Sequence, residues 1–472
     1  MSELHDLSAL EQGEAIRSRE VSSREFTEHY LERTNRLSDQ VGAFARVTEE
    51  LARRQADAAD VAVQEGGAQG PLWGVVCPVK ALAMVDGVPT NFGSLAVEVT
   101  PPFDDFVVSK MREAGLVFTG LTNAPEFGLP CYTEPDPSIA PPAKTPWDLS
   151  RSAGGSSGGA GAAVAAGLAP IALGSDGGGS IRIPASVTGI VGIKPTRGRV
   201  SNGPLGDAVA DLVNHGPMAR TVADAAALLD ALAGAFPGDP YSAIPPKRGT
   251  FLDAATRDPG KLTIGMYVTP VLVETEVDPQ VLAAVADTAA VLESLGHEVV
   301  EIDPPFDTSL WPTFSALWSV LALLTPVAPE DEHKLRPLTR YLREQGRHVT
   351  GVELATALGS ARVAARAAVA ASAQFDAVLA PTVAALPALV GQLRDDADPE
   401  ADFAAQSAFS PFCAPYNVTG QPAINVPLNW SLDELPIGVQ LIGRMHDEET
   451  LISLAAALES ESSWTQRQPA MW

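Results

Sequence analysis

Two observations predict an α/β fold built around one mixed sheet. Helix-type and strand-type apolar patterns alternate to both ends of the chain, and no linker is long enough to divide it cleanly. A length of 472 residues would suit two or three average domains, but large α/β enzymes reach this size as one unit, expected here over 1–472. The hydrophobic share of 46% is ordinary for a globular protein with a large core. No internal repeat is apparent.

Residues 6–64 read as two or three amphipathic helices, because Leu7, Leu10 and Ile16, then Phe26, Tyr30 and Leu31, recur at helical spacing. A core of about 70–240 follows, in which short strand-like runs are broken by Gly and Pro. Val75, Val76 and Val79 form one run and Leu116-Val117-Phe118 another. The small residues of 158–167 permit a helix packed tightly in the interior. Thr221-Val222-Ala223-Asp224 opens a helix in capping-box fashion. Leu262, Ile264, Met266 and Val268 alternate as a half-buried strand, and a helix over 280–295 with a strand over 299–302 completes a βαβ-like unit. A variable region of about 304–370 is mostly helical. Strand character returns at 375–379 and 423–426, within the stretch of about 371–460 that completes the core, and a helix over 448–458 closes it.

Charge narrows the function. With 32 basic against 58 acidic residues the net charge is −26, which repels a nucleic-acid backbone. Cys77, Cys131 and Cys413 are widely spaced and odd in number, so neither a disulfide framework nor a zinc knuckle fits. Reduced thiols in a cytoplasm are the simplest account. The first residues lack the basic and apolar blocks of a signal peptide. The longest apolar stretch, around 162–173, is too short to span a bilayer. A cytoplasmic protein with no metal and no membrane partner is expected.

The chemistry gathers in two glycine-rich loops. Ser180 lies in Asp176-Gly177-Gly178-Gly179-Ser180-Ile181-Arg182, where consecutive glycines can turn several N–H groups toward one point, as an oxyanion hole needs. Taken alone, this loop also reads as a turn with an incidental serine. Serine needs a base, and none of the seven histidines, His215 and His446 included, sits in a triad context. Lys80 ends the apolar run Gly74-Val75-Val76-Cys77-Pro78-Val79-Lys80. Burial there would lower its amine from about 10.4 toward neutrality, a change of about 4 kcal/mol for a fall of three decades. Ser156, in Ala153-Gly154-Gly155-Ser156-Ser157-Gly158-Gly159, supplies a hydroxyl that could pass a proton between the two. Its neighbour Ser157 is expected to support it, and a buried Asp176–Arg182 pair would brace the oxyanion loop.

These segments resemble the amidase signature family. The matching stretches include Gly87-Val88-Pro89-Thr90 with Gly93-Ser94, Gly120-Leu121-Thr122-Asn123, and Pro146-Trp147-Asp148-Leu149-Ser150-Arg151 with the serine-glycine run behind it. Ser180-Ile181-Arg182-Ile183-Pro184, Gly216-Pro217-Met218-Ala219-Arg220-Thr221 and Asn417-Val418-Thr419-Gly420-Gln421-Pro422-Ala423 follow in order. The resemblance implies a central mixed, twisted sheet with helices on both faces, and neither metal nor organic cofactor. By residue it implies Lys80 as base, Ser156 as a relay serine after a cis peptide, and Ser180 as acylated nucleophile. It places the oxyanion hole on the amides of Gly177, Gly178, Gly179 and Ser180.

Departures from the family pattern are Ala81 after the lysine, Leu121 before Thr122, and glycine at 177, which would widen the entrance beside the oxyanion hole. The proline-rich loop 135–146 is expected to form a stiff pocket wall. By position, 128–133 should line the pocket, giving Gly128, Leu129, Cys131 and Tyr132 as substrate contacts. Trp318, in the aromatic stretch 310–318, is expected to form an apolar wall or lid, with an ordinary buried helix as the alternative. The substrate expected is a small amide or carbamate, the protein a monomer or homodimer. Two rivals are an amidotransferase subunit acting on a tRNA-linked substrate and an α/β-hydrolase-type esterase. The second rests on Gly154-Gly155-Ser156-Ser157-Gly158 as a GxSxG elbow, but 147–151 before it is a loop by composition.

Overall fold

Eight strands form the sheet on which the molecule is organised, and three short ones form a second. The computed structural model describes residues 3–206, 209–306 and 309–472. In chain order the strands are β1 (Phe44–Val47), β2 (Val79–Lys80), β3 (Gly120–Thr122), β4 (Ile171–Asp176), β5 (Val191–Lys194), β6 (Asn214–Ala219), β7 (Thr263–Met266), β8 (Glu298–Glu301), β9 (Ala377–Pro381), β10 (Ala423–Trp430) and β11 (Pro436–Gly443). The large sheet runs β4-β6-β5-β10-β11-β9-β7-β8, and the small one β1-β3-β2. Pairings from β4 to β9 are antiparallel, while β9, β7 and β8 are parallel, so the large sheet is mixed. Helix Pro279–Ser294 carries the crossover between β7 and β8, the predicted βαβ unit. A crossover is required there because parallel neighbours cannot be joined by a tight turn.

The helices follow their sequence signals. Ser22 caps helix Ser23–Val41 by accepting from the Glu25 amide, and Gly42 ends it at φ 61°. Thr221 accepts from the Asp224 amide at the start of helix Val222–Leu232. Helix Gly158–Ala165 is buried along its whole length, as its small residues allow. The variable region contains helices Leu310–Leu323, Pro337–His348 and Gly351–Ser372.

Three expectations need correction. The run Val75, Val76 and Val79 is strand only at Val79, because the Val75 amide turns back to the Leu72 carbonyl and Val76 makes a lone bridge to Val117. The stretch 44–47, inside the segment read as helical, is β1, which pairs with β3. Leu116-Val117-Phe118 is not a strand, since only Val117 bridges Val76. Side chains satisfy the Phe118 backbone instead: its amide donates to Gln55 Oε1 and its carbonyl accepts from Thr48 Oγ1. The strand lies two residues later, at β3. β4, β5, β6 and β11 carry little alternation because both of their faces are covered, which removes the period-2 signal.

Candidate active site

Lys80 ends β2, buried beside β4. Its Nζ lies 2.9 Å from Ser156 Oγ, 3.0 Å from Ser175 Oγ and 3.2 Å from the Ser175 carbonyl oxygen. Burial lowers the amine to about 7 against the opposing pull of Asp176. The uncharged amine is therefore far more accessible near neutral pH than in an exposed lysine. Ser175 was not singled out from the sequence, although it directly precedes the glycine loop. The only available signal was its place at the end of an apolar run.

Ser156 follows a cis peptide bond from Gly155. A Cβ on Gly155 would lie 2.7 Å from the backbone of Cys131 and Tyr132, so only glycine lets that segment pass behind Ser156. Gly128, at φ 70°, faces the serine from the other side: a Cβ there would meet Leu82 Cδ1 at 2.5 Å and Ser156 Oγ at 3.1 Å. Ser157 joins the two loops, its amide donating to the Ser180 carbonyl at 3.1 Å and its hydroxyl to the Ser175 carbonyl at 3.2 Å.

Behind the loop, Asp176 and Arg182 are fully buried and paired through two contacts of 3.0 Å. Burial works to raise the Asp176 carboxyl, but the Arg182 guanidinium, together with Lys194 and the Asn417 amide, more than offsets it and holds the carboxyl well below the usual range. Arg182 also donates to Gln440 Oε1 at 2.9 Å and Asn417 Oδ1 at 2.8 Å, and Asn417 Nδ2 returns to Asp176 at 2.9 Å. Asn417 stands in a motif already noted, whereas nothing in the sequence marks Gln440.

Asp176 corrects one expectation. The Gly179 amide donates to its Oδ1 at 2.7 Å, so that N–H is already engaged as part of the brace. Among the described residues the amides of Gly177, Gly178 and Ser180 have no protein acceptor.

Ser180 stands where two cavities meet. The larger, of about 320 Å³, is lined by Gly128, Leu129, Ser156, Ser175, Gly177, Ser180, His215 and Trp318 among others. The smaller, of about 50 Å³, includes Leu129, Cys131, Gly178, Ser180, Phe314, Trp318 and Phe403. Gly128, Leu129, Cys131 and Trp318 each line one or both of these cavities. Tyr132 does not. Its ring is buried and its hydroxyl donates to Asp402 Oδ2 at 2.7 Å, and Asp402 in turn holds Gln406, whose Oε1 accepts from the Cys131 amide at 2.7 Å. At Gly177 a Cβ would lie 3.1 Å from Val213 and 3.4 Å from Trp318, so these two side chains bound the space that glycine leaves there. The 135–146 loop lines neither cavity and packs on the end of helix Ser23–Val41, where the Pro142 carbonyl lies 2.2 Å from the Cβ position of Gly42. His215, left aside in the sequence, lines the larger cavity.

Among the described residues one cluster has metal-ligand chemistry, with ligand atoms of Glu3, His5 and His29 within 4.8 Å of one another. It lines neither cavity, and its two imidazoles are hydrogen-bonded to each other at 2.9 Å. No helix among the described residues is long and apolar enough to cross a membrane.

The chain matches the Amidase family model over residues 25–452. It is 35% identical over 488 residues to a 6-aminohexanoate-cyclic-dimer hydrolase of Paenarthrobacter ureafaciens, covering 98% of this chain and 96% of that one. To an acylamidase of Rhodococcus erythropolis it is 33% identical, over 99% of this chain and 98% of that one. A solved 6-aminohexanoate cyclic dimer hydrolase superposes with a TM-score of 0.91 at 33% identity, covering 100% of both chains. A bacterial aryl acylamidase of the amidase signature family does so with a TM-score of 0.86 at 25% identity, over 98% of both. The chain belongs to the amidase, or amidase signature, family. It is an amidase, a hydrolase of carbon–nitrogen bonds.

Proposed function

We propose that the chain cleaves small-molecule amides by acyl transfer to Ser180, with Lys80 as base and Ser156 as proton relay. The observation that carries this reading is a buried amine, lowered to about 7, within 2.9 Å of a serine hydroxyl that lines one cavity with Ser180. Uncharged Lys80 would accept the Ser156 proton while Ser156 takes that of Ser180, freeing its Oγ to attack the carbonyl. The amides of Gly177, Gly178 and Ser180 would then receive the oxyanion. On collapse the C–N bond breaks, and the proton returns through Ser156 to the departing nitrogen. Water, activated along the same path, would release the acid and restore Ser180.

Apolar side chains on both sides of Ser180 favour aryl or alkyl substituents, and an activated carbamate would present the same carbonyl. Cys77, Cys131 and Cys413 are unpaired, in keeping with work in a reducing cytoplasm. The test is labelling with a fluorophosphonate followed by peptide mass spectrometry. Adduct on Ser180, absent in Ser180→Ala, is expected. Full amide turnover by Ser180→Ala would refute the reading.

A further inference from the structure

His215 sits on β6 directly opposite Ser175 on β4. Directly opposed residues of an antiparallel pair project to the same face, with Cβ atoms about 5 Å apart. The imidazole therefore stands beside the serine that holds Lys80, and it lines the larger cavity together with Ser156 and Ser180. Several other polar groups there are already engaged: Asp105 accepts from the Met84 amide at 2.8 Å, and the hydroxyls of Ser156 and Ser175 meet Lys80. Asn202 donates its Nδ2 to the Val213 carbonyl at 2.8 Å, which leaves its Oδ1 without a partner as a second polar atom at this cavity. Among the described residues the His215 ring has no hydrogen-bond partner.

The two cavities differ in which part of a substrate they can take. Ser180 lines both, but Ser156 lines only the larger. If Ser156 hands the proton to the departing nitrogen, as the proposed function requires, that nitrogen must face the larger cavity. The smaller one, walled by Phe314, Trp318 and Phe403, is left for the acyl group.

Resting on that reading, we propose that His215 binds the amine portion of the substrate, a substituted arylamine, through a hydrogen bond to its polar substituent. Burial, reinforced by Lys80, lowers the imidazole to about 4, so the ring is uncharged at neutral pH and can both donate and accept. An uncharged ring also spares Lys80 a cationic neighbour.

The test compares the three hydroxyacetanilides with the three methylacetanilides, reading amine release by chromatography and active-site concentration by fluorophosphonate titration. The wild type is expected to prefer at least one hydroxy isomer over its methyl counterpart. In His215→Leu that ratio of kcat/KM should fall by about threefold to tenfold, the worth of one neutral hydrogen bond. His215→Asn should keep part of it. Because each rate is referred to titrated sites, a poorly folding variant still gives the ratio. A wild type that turns over none of the six anilides overturns the proposal, as does a ratio unchanged in both variants. Ser180→Ala separates the two readings. If it is inactive while the His215 ratios stay unchanged, only the His215 assignment fails. If it is fully active, the nucleophile assignment fails.

Discussion

The glycine-loop core and the helical segment beyond residue 310 face each other across Ser180 and are built on opposite principles. In the core, every residue of strand Ile171–Asp176 and helix Arg182–Thr188 is buried, and polar groups are held by other polar groups. Asp176, Arg182, Asn417 and Gln440 form one closed network, and Lys80 is fixed between two serines. Where the helical segment faces Ser180 its contacts are apolar, its buried charged side chain, Arg343, lying elsewhere against the Ala322, Leu323 and Thr325 carbonyls. Phe314 and Trp318 stack with ring centroids 5.4 Å apart and press on the glycine loop, while helix Gly351–Ser372 buries only Ala357, Ala361, Ala368 and Ser372. A buried polar network is costly to alter because each member left unpaired keeps its full desolvation penalty. An apolar wall tolerates replacement more readily. On the proposed function, chemistry is thus fixed on one side of Ser180 and substrate shape is adjustable on the other.

The two regions are tied at Glu126. Its carboxylate accepts from Ser94 Oγ at 2.6 Å in the core and from the Arg336 amide at 2.8 Å in the helical segment, and burial pushes it up to about 7. Phe127, Gly128 and Leu129, which follow it, line the larger cavity.

The contrast can be broken most forcefully at Lys80. Lys80→Ala should lower amide turnover on the order of 10⁴-fold, the upper range for general acid–base catalysis, with an unchanged circular dichroism spectrum. A variant of near wild-type rate would remove the lysine from the mechanism. Next comes the brace. Asp176→Asn leaves a buried guanidinium without its anion and should cost about 3–5 kcal/mol in denaturant unfolding. A loss below about 1 kcal/mol would show that Gln440 and Asn417 hold Arg182 by themselves.

On the apolar side, Trp318→Ala should cost up to about 3–4 kcal/mol of stability and also shift preference among acyl groups, because the indole lines both cavities. Lower stability with unchanged preference would make it packing only. The smallest effect is one of pH. With the Lys80 amine lowered to about 7, the base is unprotonated above that value. Below it kcat/KM should fall about tenfold per pH unit, and a profile flat from pH 5 to 9 with chemistry rate-limiting would contradict the assignment.

Helices with caps and amphipathic spacing, the βαβ unit, and the grouping of Lys80 with Ser156 and of Asp176 with Arg182 were legible in the sequence. They are local signals or are carried by contiguous motifs. Short buried strands such as β5 and β6 were not, because covered faces erase alternation. Tertiary structure alone decided that Gln440, far along the chain, completes the Arg182 network, that Tyr132 turns inward to Asp402, and that the Gly179 amide serves the brace. It also decided that His215, an unremarkable residue in the chain, faces the cavity, since strand register rather than sequence proximity sets it opposite Ser175. Residue types fix which chemistry is available. Which of those groups converge depends on pairings between segments hundreds of residues apart, and no local pattern encodes them.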